Sequence, residues 1–376
     1  MPNFTKTTET VAEKLNLFAD VLVFRPVAGC EDKLFEEITR CVGGKILCVL
    51  ANTPNEWYRE TLSGGNRYFI GKSISQKENA ETLKAVQNCE HCVLFASVSM
   101  LTEEDFTAFL CANPLSAMIV LQAENISSVQ YAFDKRLFAV AELRAQLPYK
   151  LPVCAFCATD RSPVLRDMIN NLQLKTPSRI YPGVSESEEN IFAQQATVPF
   201  TAFENRVRTG KIKRALVFCT SRQTAEEAYR YFRFFGHRCA VSHGGIDFNK
   251  RKNAVDRFAT GETDFLFTTH FTQSAFCKES YDTVFLGIPT DVWLMQNLIC
   301  PNKNIYCFYT QEDKNEGIYK IEEDNEIRSQ YTSLLPFNLK TERILQHEYV
   351  LQMLTDGTSP LTKLQKDYEH IYFNEK

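Results

Sequence analysis

The chain has 376 residues, of which 44% are hydrophobic and 23% are charged, so two or three globular domains are expected and wholesale disorder is excluded. Its 42 Lys and Arg against 46 Asp and Glu give a formal net charge of −4, which argues against binding nucleic acid by bulk charge but leaves a local basic groove open. No 18-residue apolar run is present, so no membrane span is expected.

Apolar strand-like runs alternate with helical patterns in the first half of the chain. The predicted strands are Val21–Phe24, Lys45–Leu50, His91–Phe95, Ala117–Leu121 and Pro152–Phe156. Helices are predicted over Glu78–Gln87 and Arg136–Gln146. Continuous apolar strands separated by helices indicate a parallel sheet that is covered on both faces.

The same pattern restarts after about residue 200. The second set of predicted strands is Ala215–Cys219, Cys239–Val241, Asp264–Thr268, Thr283–Leu286 and Ile305–Tyr309. Helices are predicted over Thr224–Phe235 and Asn249–Ala259, and polar helical stretches over Glu312–Gln330 and Leu339–Leu354. We therefore predict an α/β protein with a first domain at 1–198, a second at 199–312 and a helical tail at 313–376.

The second domain carries a run of motifs at specific spacing. They are Cys219-Thr220-Ser221-Arg222, Glu226-Glu227, Ser242-His243-Gly244-Gly245-Ile246, Arg251, Phe258, Gly261 and Thr268-Thr269. This pattern resembles the C-terminal lobe of superfamily 2 helicases, and the RecQ family in particular. The first domain matches more faintly, through Phe133, Glu142-Leu143-Arg144 and Pro152–Thr159. The resemblance implies two RecA-like lobes in tandem.

The same resemblance implies ATP, magnesium and a phosphate-binding loop after Val21–Phe24. That loop needs glycines, a Lys for the phosphates and a Ser or Thr for Mg²⁺. This sequence keeps Gly29 but has Glu31 at the Lys position and Asp32 at the Ser position. Each carboxylate–phosphate contact at ~4 Å is unfavourable by ~4 kcal/mol at an effective dielectric of ~20.

The other nucleotide motifs also lack their charged centres. After the strand Met118-Ile119-Val120, Leu121 stands where the family has the Mg²⁺-linked Asp, and Gln122 stands where it has the catalytic Glu. The second domain has no Gly-Arg pair after Gln296, and the 273–277 stretch lacks the family's Gly-x-Gly-x-Asp. We therefore expect no ATP or magnesium cofactor.

Five residues match motifs that face nucleic acid in such helicases: Ser221, Arg222, His243, Arg251 and Thr269. Arg222 and the basic run around Arg251 could contact phosphates. The alternative is that these positions serve the fold: the glycine after His243 forms a turn, Ser221 caps a helix, and the basic residues around Arg251 lie on a solvent-exposed helix face.

Three other patterns have structural alternatives. Gly71-Lys72-Ser73 imitates a phosphate-binding loop, but an ordinary strand and turn is favoured. Cys89-x-x-Cys92 with Cys154-x-x-Cys157 could form a four-cysteine zinc site, but buried core cysteines and no metal are favoured. The aromatic-basic stretch Tyr229–Phe235 could stack on bases, but in a helix its alternate aromatic side chains are expected to face the core.

Thirteen cysteines in a chain with no secretory signal predict free thiols and a reducing, intracellular location in the nucleus or cytoplasm. The favoured function is a RecQ-like pseudo-helicase that acts as a scaffold for single-stranded or forked DNA, a protein partner or both, without ATP hydrolysis. The alternatives are a divergent ATP-dependent 3′–5′ DNA helicase and a module that binds only protein.

Overall fold

A computed structural model describes the chain over residues 4–24, 38–50, 66–72, 74–130, 133–157, 162–181, 191–269, 281–288, 304–331, 339–340, 343–344 and 347. The chain divides into two compact units: Met1–Ser185 with Tyr331–Leu334, and Glu186–Gln330 with Leu335–Lys376. The division falls before the expected boundary at 198, because the strand Ile191–Gln195 pairs in the second sheet.

The first unit, lobe one, is a parallel sheet with helices. Its strands are β1 (Val21–Phe24), β2 (Lys45–Leu50), β3 (Arg67–Ile70), β4 (Cys92–Ser97), β5 (Ala117–Val120), β6 (Val153–Cys157) and β7 (Ser178–Ile180). Its helices are α1 (Phe4–Asn16), α2 (Gln76–Gln87), α3 (Glu104–Ala112), α4 (Ala139–Gln146) and α5 (Ser162–Asn171). The strand order is β3-β4-β2-β5-β6-β1-β7.

The second unit, lobe two, follows the same plan. Its strands are β8 (Ile191–Gln195), β9 (Ala215–Cys219), β10 (Cys239–Ser242), β11 (Phe265–Thr268), β12 (Asp282–Leu286) and β13 (Ile305–Tyr309). Its helices are α6 (Pro199–Arg208), α7 (Arg222–Phe234), α8 (Phe248–Ala259) and α9 (Gln311–Arg328). The order is β10-β11-β9-β12-β13-β8, and every described pair in both sheets is parallel.

The central strands are buried on both faces. All residues of β1, β5, β6, β9 and β13 are buried, as the continuous apolar runs of these strands predict. All ten strands predicted from the sequence are present, with ends displaced by two residues at most. The strands that were not predicted, β3, β7 and β8, have exposed or half-buried positions and mixed polar sequences.

Lobe two has an aromatic core centred on Phe203 of α6. Its ring lies 4.6 Å from Phe232, 5.7 Å from Phe265 and 5.8 Å from Phe308, between ring centroids, and it is fully buried. Full burial of a Phe side chain stabilises a fold by about 1.5–3 kcal/mol. These contacts therefore hold α6 and α7 on the sheet.

Lobe one has a buried acidic centre at Asp20, just before β1. The carboxylate pairs with Arg144 of α4 at 3.0 Å and accepts the backbone N–H groups of Val153 at 2.9 Å and Lys175 at 2.8 Å. Both side chains of the ion pair are largely buried, at 4% exposure for Asp20 and 14% for Arg144. Asp20 thus ties α4, β6 and the segment before β7 to the start of β1.

The predicted helices have defined starts. Helix α9 begins after a capping box in which Thr310 and Asp313 exchange hydrogen bonds, where a helix from Glu312 is predicted. The predicted helix over 136–146 begins instead as a 3₁₀ turn at Lys135–Phe138 and becomes α-helical at Ala139. Of the tail helix predicted over 339–354, the described residues are helical. No helix in the described part of the chain is long and apolar enough to cross a membrane.

Candidate nucleic-acid interface and degenerate nucleotide site

Lobe two gathers four of the five predicted contact residues at one edge of its sheet. Ser242, Thr268 and Phe218 are aligned in register across the adjacent strands β10, β11 and β9. His243 and Thr269 come directly after two of these strands, and Ser221-Arg222 follows the third by two residues. Open parallel sheets bind their ligands outside this carboxyl edge.

Ser221 is the N-cap of α7. Its hydroxyl oxygen accepts the backbone N–H of Thr224 at 3.0 Å and lies 2.8 Å from the Thr224 hydroxyl. The structural alternative predicted for Ser221, a helix cap, is confirmed.

Arg222 is the first residue of α7, and its side chain is exposed. Among the residues that the structure describes, no carboxylate forms an ion pair with its guanidinium. The positive end of the helix dipole lies at the same place, so the local field favours an anion. Arg222 is therefore the predicted contact residue best placed to meet a phosphate.

His243 is buried and both of its ring nitrogens are engaged inside lobe two. Nδ1 accepts the backbone N–H of Gly245 at 3.2 Å, so the proton lies on Nε2, which donates to Glu226 Oε1 at 3.0 Å. The side chain is only 7% exposed. His243 therefore joins the turn after β10 to α7 and has no nitrogen left for a phosphate.

Gly245 brings this turn close to Arg222. A Cβ added there would lie 3.2 Å from His243 Nδ1 and 3.7 Å from Arg222 Cδ. The absence of a side chain at Gly245 allows the His243 ring and the stem of Arg222 to lie close to the backbone there.

The remaining two predicted residues differ in position. Thr269 follows β11 at the same edge, and its buried hydroxyl makes no hydrogen bond with any residue in the described ranges. Arg251 lies in the first turn of α8, a helix that packs on β10 and β11, and its side chain is half-buried. Of the five, Arg251 is the one that the strand register does not bring to the edge.

The described part of the nucleotide motifs lies at the carboxyl edge of lobe one. Leu121 directly follows β5, is half-buried and packs against the hydrophobic core of the lobe. Gln122 adopts a left-handed conformation with φ 53° and starts a 3₁₀ helix over Ala123–Ile126. Gly29, Glu31 and Asp32 lie outside the described residues, but β1, which precedes them, is separated from β5 only by β6.

Of the motif residues, the structure describes Leu121 and Gln122 at this edge, and neither fits the role that the family has there. The alkyl side chain of Leu121, packed against the core, cannot ligate a cation, and the Gln122 amide cannot take a proton from water. The segments 273–277 and 296–301, where the arginine-finger motifs are degenerate in sequence, lie outside the described residues.

The two cysteine pairs lie too far apart to share a zinc ion. Cys92 is on β4 and Cys154 is on β6, with β2 and β5 between them, which separates the strands by about 14 Å. Cys154 and Cys157 are buried, as expected for core cysteines. Burial also raises the pKa of Cys92 to about 11.

Lys72, in the sequence that imitates a phosphate-binding loop, follows β3 and pairs with Glu103 at 2.6 Å. The expected strand and turn is present there, and Ser73 lies outside the described residues. Lys72 therefore forms an ion pair at the surface, although its sequence context imitates a phosphate-binding loop.

Sequence reasoning gave no role to Glu226, which orients His243. The residue appears in the sequence only as part of a Glu-Glu pair on a predicted helix. Its position one helical turn after Arg222, facing the turn after β10, could have been found only by placing α7 against β10.

Comparison with known proteins places this architecture among helicases. Residues 199–286 match the family model of the helicase conserved C-terminal domain. Over 207 residues, 55% of this chain, the sequence is 20% identical to the ATP-dependent DNA helicase RecQ of Bacillus subtilis (strain 168). The match spans only 35% of that relative's length. The chain thus has a superfamily 2 helicase-like core that resembles RecQ.

Solved structures support the same fold. The Mycobacterium smegmatis helicase Lhr, bound to ssDNA and AMP-PNP, matches 92% of this chain and 51% of its own, with TM-score 0.60 and 14% identity. S. cerevisiae Dbp5, bound to RNA and ADP BeF3, matches 92% of this chain and 93% of its own, with TM-score 0.58 and 12% identity. Both lobes are therefore RecA-like, as the sequence predicted.

Proposed function

We propose that this chain is a helicase-like scaffold that binds nucleic acid through lobe two and does not hydrolyse ATP. The observation that carries the proposal is Leu121, a half-buried alkyl side chain that packs against the core of lobe one at the position where the family has a magnesium-linked Asp. Gln122 beside it removes the second carboxylate. Neither substitution leaves a group that could perform the lost role.

Nucleic-acid binding is proposed from lobe two. Arg222 is exposed at the start of α7, at the carboxyl edge of β9, β10 and β11. Its neighbourhood is fixed by the hydrogen bonds of His243 and by the close approach of Gly245. Solved structures with this fold include one bound to ssDNA and one bound to RNA. Single-stranded or forked DNA is therefore the first ligand to test.

The test is fluorescence anisotropy with labelled single-stranded and forked oligonucleotides at low and physiological ionic strength. The proposal predicts binding that weakens as salt rises, and Arg222→Ala should reduce the slope of log affinity against log salt by about one. Arg208→Ala, at an exposed arginine at the end of α6, is the matched control and should leave the slope unchanged.

Two results would refute the nucleic-acid part of the proposal. One is the absence of binding at low salt. The other is an equal effect of Arg222→Ala and Arg208→Ala, which would indicate a general response to lost charge rather than a contact at the carboxyl edge.

A further inference from the structure

The far end of α7 carries an exposed aromatic surface that the proposed function does not use. We call it the aromatic patch and define it as Phe200, Tyr231, Phe234 and Phe235. The ring centroids are 4.9 Å apart for Phe200 and Tyr231, 4.9 Å for Tyr231 and Phe235, and 5.3 Å for Phe235 and Phe234. Phe234 is 84% exposed and Phe235 is 50% exposed.

The helical pattern predicts that alternate aromatic residues of 229–235 face the core. That expectation is correct for Phe232, which is fully buried, and wrong for Phe234. Phe203, Phe232 and the sheet already fill the core below this helix. Phe234 therefore adds little to the stability of lobe two, and clustered exposed apolar side chains typically mark an interaction surface.

The sequence segment that carries the patch is basic although the chain as a whole is acidic. Residues 198–240 contain nine Lys and Arg and three Glu, a net of +6, against −4 for the whole chain. From 228 to 240 the segment contains Arg230, Arg233 and Arg238 and no Asp or Glu. Arg230 is paired with Glu226 and Arg238 with Asp264, whereas Arg233 is exposed and its guanidinium donates to the Tyr229 hydroxyl at 3.0 Å.

We propose that the aromatic patch, with Arg233 beside it, binds an acidic peptide segment of a protein partner that carries aromatic or aliphatic side chains. The positive charge selects acidic residues, and Phe234 and Phe235 offer apolar contact area. Large aromatic side chains of this kind, together with arginine, supply most of the affinity in small interfaces.

The ring geometry favours a peptide over a nucleic-acid strand. Phe234 and Phe235 stand at 89° to each other, so successive bases could not stack on both faces. The patch also lies at the opposite end of α7 from Arg222, about 18 Å away at 1.5 Å per residue. The peptide site is thus separate from the carboxyl edge and does not depend on it.

The test is a selection of random peptides of about 15 residues against the whole chain, with counter-selection against the double variant Phe234→Ser/Phe235→Ser. Recovered peptides should be rich in Asp and Glu together with aromatic or aliphatic residues. Their affinity, measured by anisotropy, should fall about tenfold or more in the double variant and severalfold in Arg233→Glu. Tyr319→Ser, at an aromatic residue that is 66% exposed on α9, should change nothing.

Unchanged urea midpoints of the variants would establish that lobe two still folds, as expected for exposed positions. The proposal is overturned if no peptide survives counter-selection, or if the recovered peptides are basic. It is also overturned if Phe234→Ser/Phe235→Ser weakens oligonucleotide binding instead, or abolishes self-association seen by sedimentation, because the occupant would then be nucleic acid or a second copy.

Discussion

The Nε2 atom of His243 lies 3.0 Å from Glu226 Oε1, across the gap between the turn after β10 and helix α7. This bond fixes the tautomer of a histidine whose other nitrogen already accepts the Gly245 N–H. A residue that the sequence indicates as a contact to nucleic acid thus has both ring nitrogens engaged within lobe two.

Removal of the Glu226 carboxylate should destabilise lobe two. Glu226→Ala leaves the buried Nε2–H of His243 without its acceptor, and we expect a loss of about 1–2 kcal/mol in the free energy of unfolding, measured with urea. Glu227→Ala, at an exposed residue on the same helix, should lose less than about 0.5 kcal/mol. Equal losses would show that the His243 contact contributes nothing.

A methyl group at Gly245 should disturb the same contact. In Gly245→Ala the new Cβ would lie 3.2 Å from His243 Nδ1 and 3.3 Å from Cε1, so we expect a destabilisation of about 1–2 kcal/mol. Gly43→Ala is the control, because its Cβ would approach the His91 ring only to 3.8 Å, an ordinary contact. Thermal unfolding should show a lower midpoint for Gly245→Ala alone, and a lowered midpoint for both would refute the steric explanation.

The buried ion pair of Asp20 should matter far more than an exposed one of similar geometry. Asp20→Ala leaves Arg144 buried and unpaired, and a loss of about 3–5 kcal/mol is expected, enough to unfold lobe one in mild denaturant. Asp264→Ala removes a bidentate partner from Arg238, which is 62% exposed, and should destabilise the chain far less than Asp20→Ala does. Similar losses at both sites would contradict the importance of burial.

Thiol chemistry should separate core cysteines from partly exposed ones. Burial raises the pKa of the Cys48, Cys154, Cys219 and Cys307 thiols. At pH about 8, iodoacetamide should label the half-buried Cys89 and Cys111 before these four, which it should reach only on unfolding, as read by mass spectrometry. Labelling of Cys219 as fast as Cys111 would contradict this.

The same shifts give a direction for stability against pH. Because the folded pKa of these thiols lies above the unfolded value, the folded state binds more protons at alkaline pH. Below the pKa of a thiol in the unfolded chain, the buried thiols make stability no more or less dependent on pH. As the pH rises above that pKa, the free energy of unfolding falls.

The sequence was sufficient for the parts of the fold that depend on continuous apolar runs, such as β1, β9 and β13. It was insufficient for β8, whose half-buried pattern carries little signal and whose pairing with β13 moves the domain boundary. At the candidate site, the motif spacing identified Arg222 and His243 but not their different roles. Those roles depend on Glu226 and Gly245, which approach His243 only after β9, β10 and α7 have packed.

The measurement that bears most directly on the lost nucleotide chemistry is ATP turnover and binding by the purified chain, with and without single-stranded DNA. With Leu121 and Gln122 in place of the two carboxylates, we expect no DNA-stimulated hydrolysis and no saturable binding of a fluorescent ATP analogue with magnesium. Saturable binding together with DNA-stimulated turnover that Gln122→Ala abolishes would contradict the account.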